Sequence, residues 1–443
     1  MTFKLTKAVL SLAAMLALSA CGVLQGDRDI LQGEREPIRS DEGYAGVIPA
    51  EIAGSADLRL PRARSNTDWT HPGGNIEHAP VHAALPDALG LAWATDIGEG
   101  NGRRHRVTAE PVADRGRIFA MDSIGVVSAL NAEGTVLWQT SLGNAAEQAD
   151  ASGGGLAVDG NTLYAASGQG SLYALDVETG DIRWEQALDA AGVAAPTVAG
   201  SIVYIVGGDS RAWAIDAGTG RINWTISGAP SEQSFVGGAS PAIGRTLAIF
   251  PFSNGDVQAV FRRGGFNRWN VNVGGRREGF AVSGISEITA GPVLDSGRVY
   301  VGNASGRIVA LDSTTGERFW TAQQGTSGEI VPVGRNDLFT ISDQNQLMRL
   351  SARSGAVIWS RQLPYFLNDN ERRRSEIIAH YGPILAGGRL IVASSDGVLR
   401  QFSVIDGSEL GTVAIPDGAA SNPIVVNGTL YVVTGKGQLA AFR

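Results

Sequence analysis

Tryptophan returns at nearly even spacing along most of this chain of 443 residues. The regularly spaced residues are Trp93, Trp138, Trp184, Trp224, Trp269, Trp320 and Trp359. A repeat of roughly 20–50 residues cannot bury its apolar surface alone, so successive copies must stack to build a common core. The spacing therefore predicts an array of similar units, and it constrains the fold more than any bulk property does.

Each copy has the pattern of a meander of short β-strands, and residues 292–320 are the clearest case. Apolar or alternating runs occupy 292–294, 298–302 and 308–311, and 319–320 closes the copy. The intervening residues are mostly Gly, Asp, Asn, Ser and Thr, which adopt left-handed conformations or hydrogen-bond their own backbone. The chain contains 59 glycines, as many tight turns require. We therefore predict four-stranded antiparallel sheets.

A shared motif precedes most of the tryptophans. Its plainest form is Ala174-Leu175-Asp176, then Thr179-Gly180, then Trp184. It recurs at 214–224 and 310–320, more weakly at 129–138 and 349–359, and at 401–410, where Leu410 stands in place of tryptophan. We expect the acid to accept backbone N–H groups across a turn and the glycine to hold the left-handed position. The tryptophan should spread apolar area between neighbouring sheets.

Counting the copies gives eight, and a proline begins most of the expected first strands, where a missing N–H donor is tolerated. These prolines are Pro111, Pro196, Pro241, Pro292, Pro383 and Pro423. The last copy, 423–442, supplies only three strands, whereas 89–93 has a closing tryptophan without three preceding strands. We predict that 89–93 completes the last sheet and leaves no open edge. The predicted fold is all-β: an eight-bladed β-propeller of four-stranded blades, closed by an N-terminal strand.

The N-terminus has the features of a bacterial secretion signal. Lys4 and Lys7 precede an apolar run at 8–18, which is too short to span a membrane. Cys21, the single cysteine of the chain, follows in a stretch that resembles a lipobox. That resemblance implies cleavage before Cys21, acylation of the cysteine and stable membrane anchoring through more than one acyl chain. We predict a signal peptide at 1–20, a lipidated tether at 21–65 and the propeller at 66–443.

Composition and motifs exclude several classes of function. A net charge of −8 disfavours nucleic acid as a partner. One cysteine leaves no intrachain disulfide and no cysteine-rich metal site. We expect an ordered segment at 69–75, and we predict that His71, His78 and His82 are surface or capping residues instead of metal ligands. The sequence contains no nucleophile elbow, P-loop or zinc signature.

The repeated motif resembles the PQQ-type propeller repeat, which occurs in two kinds of protein. Quinoprotein dehydrogenases use this fold to hold pyrroloquinoline quinone and calcium, often beneath a disulfide of adjacent cysteines that this chain lacks. The lipobox, the chain length after the tether and the eight repeats resemble the BamB family. That resemblance implies a non-enzymatic scaffold on the periplasmic face of the outer membrane, without a cofactor. Its partners would be BamA, other Bam subunits and unfolded outer-membrane protein precursors. The alternative is a periplasmic PQQ-dependent dehydrogenase, whose channel should bring Arg, Asn and carboxylate groups together.

The BamB resemblance also implies two partner-binding stretches. The first corresponds to Gln233, Phe235 and Val236, where Gln233 and Val236 depart from the Leu and Arg of the family pattern. The second corresponds to Glu287 and Thr289 and keeps one acidic residue. For Phe235 the alternative is a side chain tucked into its own blade, and for Glu287 it is ordinary solvated surface.

The spacing of the repeat is broken between Gln362 and His380. This insertion carries three bulky apolar residues at 365–367 and the basic run 372–374. We predict either a solvated loop or a contact with a partner, since arginine binds carboxylate and phosphate in two-point fashion.

Overall fold

The structure is a computed structural model that describes residues 58–143, 153–190, 192–230, 238–275, 287–368, 370, 372 and 374–443. These residues form eight four-stranded sheets, each an antiparallel meander. The first strands of neighbouring sheets contact one another around a central channel. The predicted eight-bladed β-propeller is confirmed. Across these same ranges, no helix is long and apolar enough to cross a membrane.

The strands follow chain order, and each blade runs from the channel outward. Blade 1 contains β2 (Val112–Asp114), β3 (Arg117–Met121), β4 (Val126–Asn131) and β5 (Val136–Ser141), and blade 2 contains β6 (Gly154–Asp159), β7 (Thr162–Ser167), β8 (Ser171–Asp176) and β9 (Ile182–Ala187). Blade 3 contains β10 (Thr197–Ala199), β11 (Ile202–Val206), β12 (Arg211–Asp216) and β13 (Ile222–Ser227), and blade 4 contains β14 (Ala242–Ile243), β15 (Leu247–Pro251), β16 (Asp256–Phe261) and β17 (Asn267–Asn272). Blade 5 contains β18 (Ile288–Asp295), β19 (Arg298–Asn303), β20 (Arg307–Asp312) and β21 (Arg318–Ala322), and blade 6 contains β22 (Val331–Val333), β23 (Asp337–Ile341), β24 (Gln346–Ser351) and β25 (Val357–Gln362). Blade 7 contains β26 (His380–Ala386), β27 (Arg389–Ser394), β28 (Val398–Ser403) and β29 (Glu409–Ala414), and blade 8 contains β30 (Ile424–Val426), β31 (Thr429–Val433) and β32 (Gln438–Phe442) with β1 (Leu91–Asp96) as its outer strand.

The ring is closed between the two ends of the propeller. Strand β1 pairs antiparallel with β32, as predicted from the missing fourth strand. Just beyond the strands, the amide of Gly90 donates to the carbonyl of Arg443 at 2.8 Å, and the amide of Arg443 donates back at 3.0 Å. In every other blade the third and fourth strands are joined by a turn of the chain, and in blade 8 these two hydrogen bonds take its place.

Each closing tryptophan packs against the turn of the next blade. Trp320 of blade 5 lies over Gly355 of blade 6, where an added Cβ would stand 2.5 Å from the ring. Gly355 also has a φ of +73°, so this position both needs a left-handed residue and excludes a side chain. The indole N–H of Trp320 donates to the carbonyl of Ala352 in the same turn at 3.0 Å. The motif therefore acts between blades: the glycine of one copy receives the tryptophan of the copy before it.

The assignment of Leu410 to the tryptophan position of blade 7 is wrong, because Gly411 pairs with Gln401 as Trp359 pairs with Arg349. The contact between blades explains why no tryptophan is needed at Gly411. The next blade is blade 8, whose third and fourth strands are joined by the Gly90–Arg443 hydrogen bonds and not by a glycine turn. Because no motif glycine faces this position, a tryptophan would have no receiving turn, and Leu410 is largely exposed.

Two of the prolines depart from the prediction. Pro111, Pro196, Pro241 and Pro423 each precede a first strand, as expected. Pro292 and Pro383 instead lie inside β18 and β26, at points where the register with the next strand shifts. A bulge in an innermost strand needs no N–H donor at that residue, which is why proline is tolerated there.

Residues 64–85, the N-terminal segment, run around the mouth of the channel and bond to one blade after another. The segment begins at blade 8, where Asn427 donates to the carbonyl of Asn66 at 2.9 Å. The next bonds join Trp69 to Ala113 of blade 1, Thr70 to Val158 of blade 2, Ile76 to Ile243 of blade 4 and Glu77 to Leu294 of blade 5. Ala83 then bonds to Leu385 of blade 7, and Arg64 pairs with His82 and Ala84. The segment thus closes on itself and covers one end of the channel.

The three histidines of this region are buried, so the prediction of surface residues is wrong, and each ring bonds to a backbone group as a capping residue does. His71 Nε2 accepts the amide N–H of Val198 in blade 3 at 3.1 Å. His78 Nδ1 lies 3.1 Å from the carbonyl oxygen of Pro292, and His82 Nε2 accepts from Gly388 at 2.9 Å. Burial lowers the pKa of His71 to about 3 and that of His78 to about 4, so these two side chains are neutral at pH 7.

Candidate partner-binding face

The two faces of the ring carry different connections. Short turns between the first and second and between the third and fourth strands of each blade lie on one face, here called the turn face, together with the N-terminal segment. The links from one blade to the next lie on the opposite face, here called the loop face. Its four longest connections are 97–111, 228–241, 273–287 and 363–379. Binding residues are disproportionately found on long loops held by a rigid scaffold.

Of the predicted partner-binding residues, the structure describes only Glu287 and Thr289. Gln233, Phe235 and Val236 lie outside the described residues, as does Cys21. Glu287 is only 3% exposed, so its alternative interpretation as solvated surface is wrong. Thr289 lies in β18, donates to the carbonyl of Thr326 at 2.6 Å and lines the channel. The structure buries Glu287 and places Thr289 at the channel wall, and their role in binding a partner stays a prediction.

The insertion 363–379 forms a compact projection from the loop face. Phe366 and Ile377 form an isolated antiparallel bridge, and the amide of Leu367 donates to the carbonyl of Glu376 at 3.0 Å. The guanidinium of Arg374 stacks 5.2 Å from the centre of the Phe366 ring. Leu367 and Ile377 are 58% and 59% exposed. The insertion therefore presents two aliphatic side chains on a hydrogen-bonded support, as a docking site would. The apolar run at 365–367 could be found in the sequence, whereas Ile377 carried no signal.

The channel holds a polar cluster that the sequence analysis did not identify. A cavity of about 200 Å³ is lined by small residues and by Glu110, Glu329 and Asn422. The Asn422 side chain accepts from the amide of Gly382 at 2.8 Å through Oδ1. Its Nδ2 donates to Glu110 Oε1 at 2.5 Å and to Glu329 Oε1 at 3.3 Å. Blades 1, 6 and 8 thus meet at one pair of carboxyl groups.

The electrostatics of this cluster favour a retained proton. Burial and the neighbouring Glu110 raise the pKa of Glu329 well above its usual range. Because the amide of Gly382 donates to Oδ1 of Asn422, the NH₂ group of Asn422 faces the two carboxyl groups. An NH₂ group is a hydrogen-bond donor, so it binds carboxyl oxygens and cannot coordinate a calcium ion. No arginine lines the described cavity, so only two of the three kinds of group expected for a quinone site are present. No group of three potential metal ligands occurs in the described part of the chain. The cluster therefore does not fit pyrroloquinoline quinone with calcium.

The position of these residues in the repeat could have revealed them. Glu110 and Asn422 each precede the proline of a first strand, and Glu329 stands two residues before β22. Polar side chains just before the first strands point toward a common axis only once the ring is closed. Their positions in the repeat therefore indicate a shared site only when the propeller fold is already known.

Replacing Glu329 with glutamine should remove one contribution to the dependence of stability on pH. Above the unfolded pKa of 4.5, the folded chain retains a proton on Glu329 that the unfolded chain has released, so this group's contribution to the free energy of unfolding falls as pH rises through this window. We expect the melting temperature of the native chain, relative to that of Glu329→Gln, to fall between pH 5 and pH 8. The exposed Glu317→Gln is the control and should retain the native profile. Identical profiles for the native chain and Glu329→Gln would contradict the assignment.

Comparison with known proteins decides the family. The sequence matches the family described as "Outer membrane protein assembly factor BamB" over residues 123–361 and 304–443. The chain belongs to the BamB family. Outer membrane protein assembly factor BamB of Escherichia coli (strain K12) is 30% identical over 356 residues, covering 79% of this chain and 87% of that protein. BamB of Salmonella typhimurium (strain LT2) is also 30% identical, over 357 residues and the same shares of each chain.

Solved structures support the same architecture for this BamB-family chain. The crystal structure of BamB from Moraxella catarrhalis has a TM-score of 0.66 at 18% identity and covers 80% of this chain and 100% of that one. A europium-containing methanol dehydrogenase has a TM-score of 0.62 at 16% identity, covering 85% and 98%. At these identities the likeness shows the shared propeller fold only. The sequence match, and not the fold, separates the BamB family from the dehydrogenases.

Proposed function

We propose that this BamB-family chain is a non-enzymatic accessory lipoprotein of the outer-membrane β-barrel assembly machinery. It docks on BamA, belongs with the other Bam subunits and assists the folding and insertion of outer-membrane β-barrel precursors. The observation that carries this proposal is the match to the outer membrane protein assembly factor family over more than half of the chain. The match to the E. coli assembly factor across most of both chains supports it.

The predicted anchor places this activity at the membrane. Acylation of Cys21 would hold the chain at the periplasmic face of the outer membrane, with residues 22–57 between the anchor and the described propeller. Leu58 and Leu60 pack against a core cluster that includes Val333 and Phe339 of blade 6, so the chain leaves the propeller beside that blade.

The mechanism is positioning. The N-terminal segment bonds to blades on the turn face, which leaves the long connections of the loop face available for a partner. Docking would use Gln233, Phe235 and Val236 with the connection that ends at Glu287. Exposed Leu367 and Ile377 extend the same face. A ring stiffened by tryptophan contacts between blades can hold a bound subunit at a fixed orientation without any chemical step.

Affinity capture from detergent-solubilised outer membranes tests the docking. The native lipidated chain should recover BamA, and both Phe235→Ala and the double change Leu367→Ser with Ile377→Ser should reduce recovery. Ile405→Ser is the matched control because Ile405 is an even more exposed aliphatic residue on the turn face. Its recovery of BamA should equal that of the native chain. The buried Glu287 is unsuitable for this purpose, since a change there would disturb folding.

A different outcome of the capture experiment would overturn the proposal. If the native chain recovers no assembly subunit, and the purified protein binds pyrroloquinoline quinone with calcium and oxidises an alcohol, the chain is a dehydrogenase. Recovery of BamA that Ile405→Ser reduces as much as the loop-face variants would place the interface away from the loop face.

A further inference from the structure

The turn between the third and fourth strands of blade 4 departs from the corresponding turns of the other blades. In each of the others, the first turn residue has a side-chain oxygen; these residues are Asn131, Asp176, Asp216, Asp312, Ser351 and Ser403. The Asp176 carboxylate accepts the amide N–H groups of Glu178 at 2.8 Å and Thr179 at 3.2 Å. Blade 4 has Phe261 at this position, so the amides of Arg263 and Gly264 lack the acceptor that caps the other turns.

The backbone of the blade 4 turn keeps two of the common hydrogen bonds but changes course at Gly264. The amide of Phe261 donates to the carbonyl of Phe266 at 2.9 Å, and Gly265 donates to the carbonyl of Phe261 at 3.1 Å. The blade 2 turn has the same two bonds, from Asp176 to Asp181 and from Gly180 to Asp176. Gly264 has a φ of +90°, whereas Thr179 at the equivalent position of blade 2 is not left-handed, so the peptide between Arg263 and Gly264 faces another way.

A second departure lies beneath the same turn. The indole N–H of each other closing tryptophan donates to a carbonyl of the next blade, as Trp184 does to Ala217 at 3.1 Å. Trp224, which packs against Gly265, has a buried N–H with no acceptor among the described residues. The blade 4 turn thus lacks both its internal cap and its bond to the preceding blade.

The surroundings of this turn are cationic and aromatic. A groove of about 640 Å³ between blades 3 and 4 is lined by Arg245, Arg262, Arg263, Phe261 and Phe266, and no acidic residue lines it. Phe266 is 73% exposed, and Phe261 is 44% exposed. The Arg262 guanidinium is committed to the carbonyl of Ala199 at 2.8 Å, whereas Arg245 and Arg263 extend into solvent. A groove that is locally basic in a chain of net charge −8 is complementary to an acidic ligand.

We propose that this groove binds an extended peptide segment that carries carboxylate and aromatic side chains. A carboxylate of the peptide accepts from the Arg245 and Arg263 guanidiniums, beside the turn that lacks an acidic cap of its own. Aromatic side chains of the peptide pack on Phe261 and Phe266. A concave groove suits a chain segment better than the flat surface of a bilayer. The site lies on the turn face, so it goes beyond the docking proposed for the loop face.

Fluorescence anisotropy with a labelled peptide of about ten residues, alternating aspartate with tyrosine, tests the binding by full-length protein. The native chain should bind this probe at least about tenfold more tightly than a matched peptide with asparagine for aspartate. Arg263→Ser and Phe266→Ser should each weaken binding by about tenfold. Phe261→Asp should do the same, because it removes an aromatic contact and places a negative charge in the groove. Arg221→Ser, in the neighbouring turn of blade 3, is the control and should bind as the native chain does.

Several outcomes overturn the proposal. Equal binding of the aspartate and asparagine peptides would show that the groove has no site for a carboxylate. If Arg221→Ser weakened peptide binding to the same extent, the binding would be due to general surface charge and not to this groove. Binding to phosphatidylglycerol vesicles but not to the peptide, lost in Arg263→Ser, would assign the groove to a lipid surface. Melting temperatures of all variants establish that they are folded, and unchanged capture of BamA by Arg263→Ser separates this test from that of the loop face.

Discussion

Trp320→Ala is expected to lower the free energy of unfolding by about 3–5 kcal/mol, the usual cost of removing a large buried aromatic side chain. Trp320 is 8% exposed and packs between blades 5 and 6 over Gly355. Its removal deletes apolar contact on both sheets and the bond to Ala352. Because the glycine turn is shaped to the ring, little can move in to fill the space. The midpoint of urea unfolding measures the loss.

Phenylalanine substitutions at two tryptophans separate the hydrogen bond from the packing. Trp320→Phe loses the indole donor to Ala352, whereas Trp224→Phe loses a donor that has no acceptor among the described residues. We expect Trp320→Phe to cost about 1 kcal/mol more than Trp224→Phe. Gly355→Ala should also be destabilising, because its φ is +73° and its Cβ would meet the Trp320 ring. Equal costs for the two phenylalanine variants would show that the indole bond contributes nothing.

The blades could be predicted from sequence because they are built by local chemistry. The Asp176 carboxylate caps its own turn within three residues, and Gly180 supplies the left-handed position in the same turn. The closure by β1 could also be predicted, because counting strands left one missing and one spare. The spacing did not reveal that each tryptophan meets the glycine of the next copy. That contact explains why blade 7 has Gly411 at the tryptophan position, which the repeat alone leaves as an exception.

The channel and its cover depend on contacts that carry no local pattern. Asn422 and Glu110 are 312 residues apart in sequence and meet only in the closed ring. The N-terminal segment is held mainly by backbone bonds, such as those from Trp69 to Ala113, and these do not depend on side-chain type. Its histidines therefore looked like isolated polar residues in the sequence. For the partner-binding site, the family resemblance supplied positions, while the structure showed that Glu287 is buried.

Acidification from pH 7 to pH 5 should loosen the N-terminal segment from the ring. His71 and His78 have pKa values lowered by burial to about 3 and about 4, against 6.5 in the unfolded chain. As pH falls below 6.5, the undocked segment takes up protons that the docked segment cannot accept, so docking weakens as pH falls toward the folded values. Linkage gives a loss of about 2 kcal/mol for each histidine between pH 7 and pH 5.

Hydrogen exchange measures this loss where it occurs. Amides that join the segment to the blades, such as those of Trp69 and Ala83, should lose protection at pH 5 after correction for the intrinsic rate of exchange. The buried strand β23 should keep its protection and serves as the internal control. His71→Gln cannot titrate and retains an acceptor for the Val198 amide, so about half of the acid-induced loss should disappear. Unchanged protection of the native segment at pH 5 would contradict the assignment.

The two pH effects of this structure, that of the histidines and that of Glu329, oppose each other. As pH falls, the histidines of the segment weaken docking, while Glu329 at the channel favours the folded ring because it keeps its proton. His78 and Glu329 line the same cavity, so both effects act on the same end of the channel. In Glu329→Gln the stabilising contribution is absent at every pH, and the loss of protection between pH 7 and pH 5 should therefore be larger than in the native chain. A smaller loss in that variant would mean that the carboxyl pair, and not the histidines, controls how the segment is held.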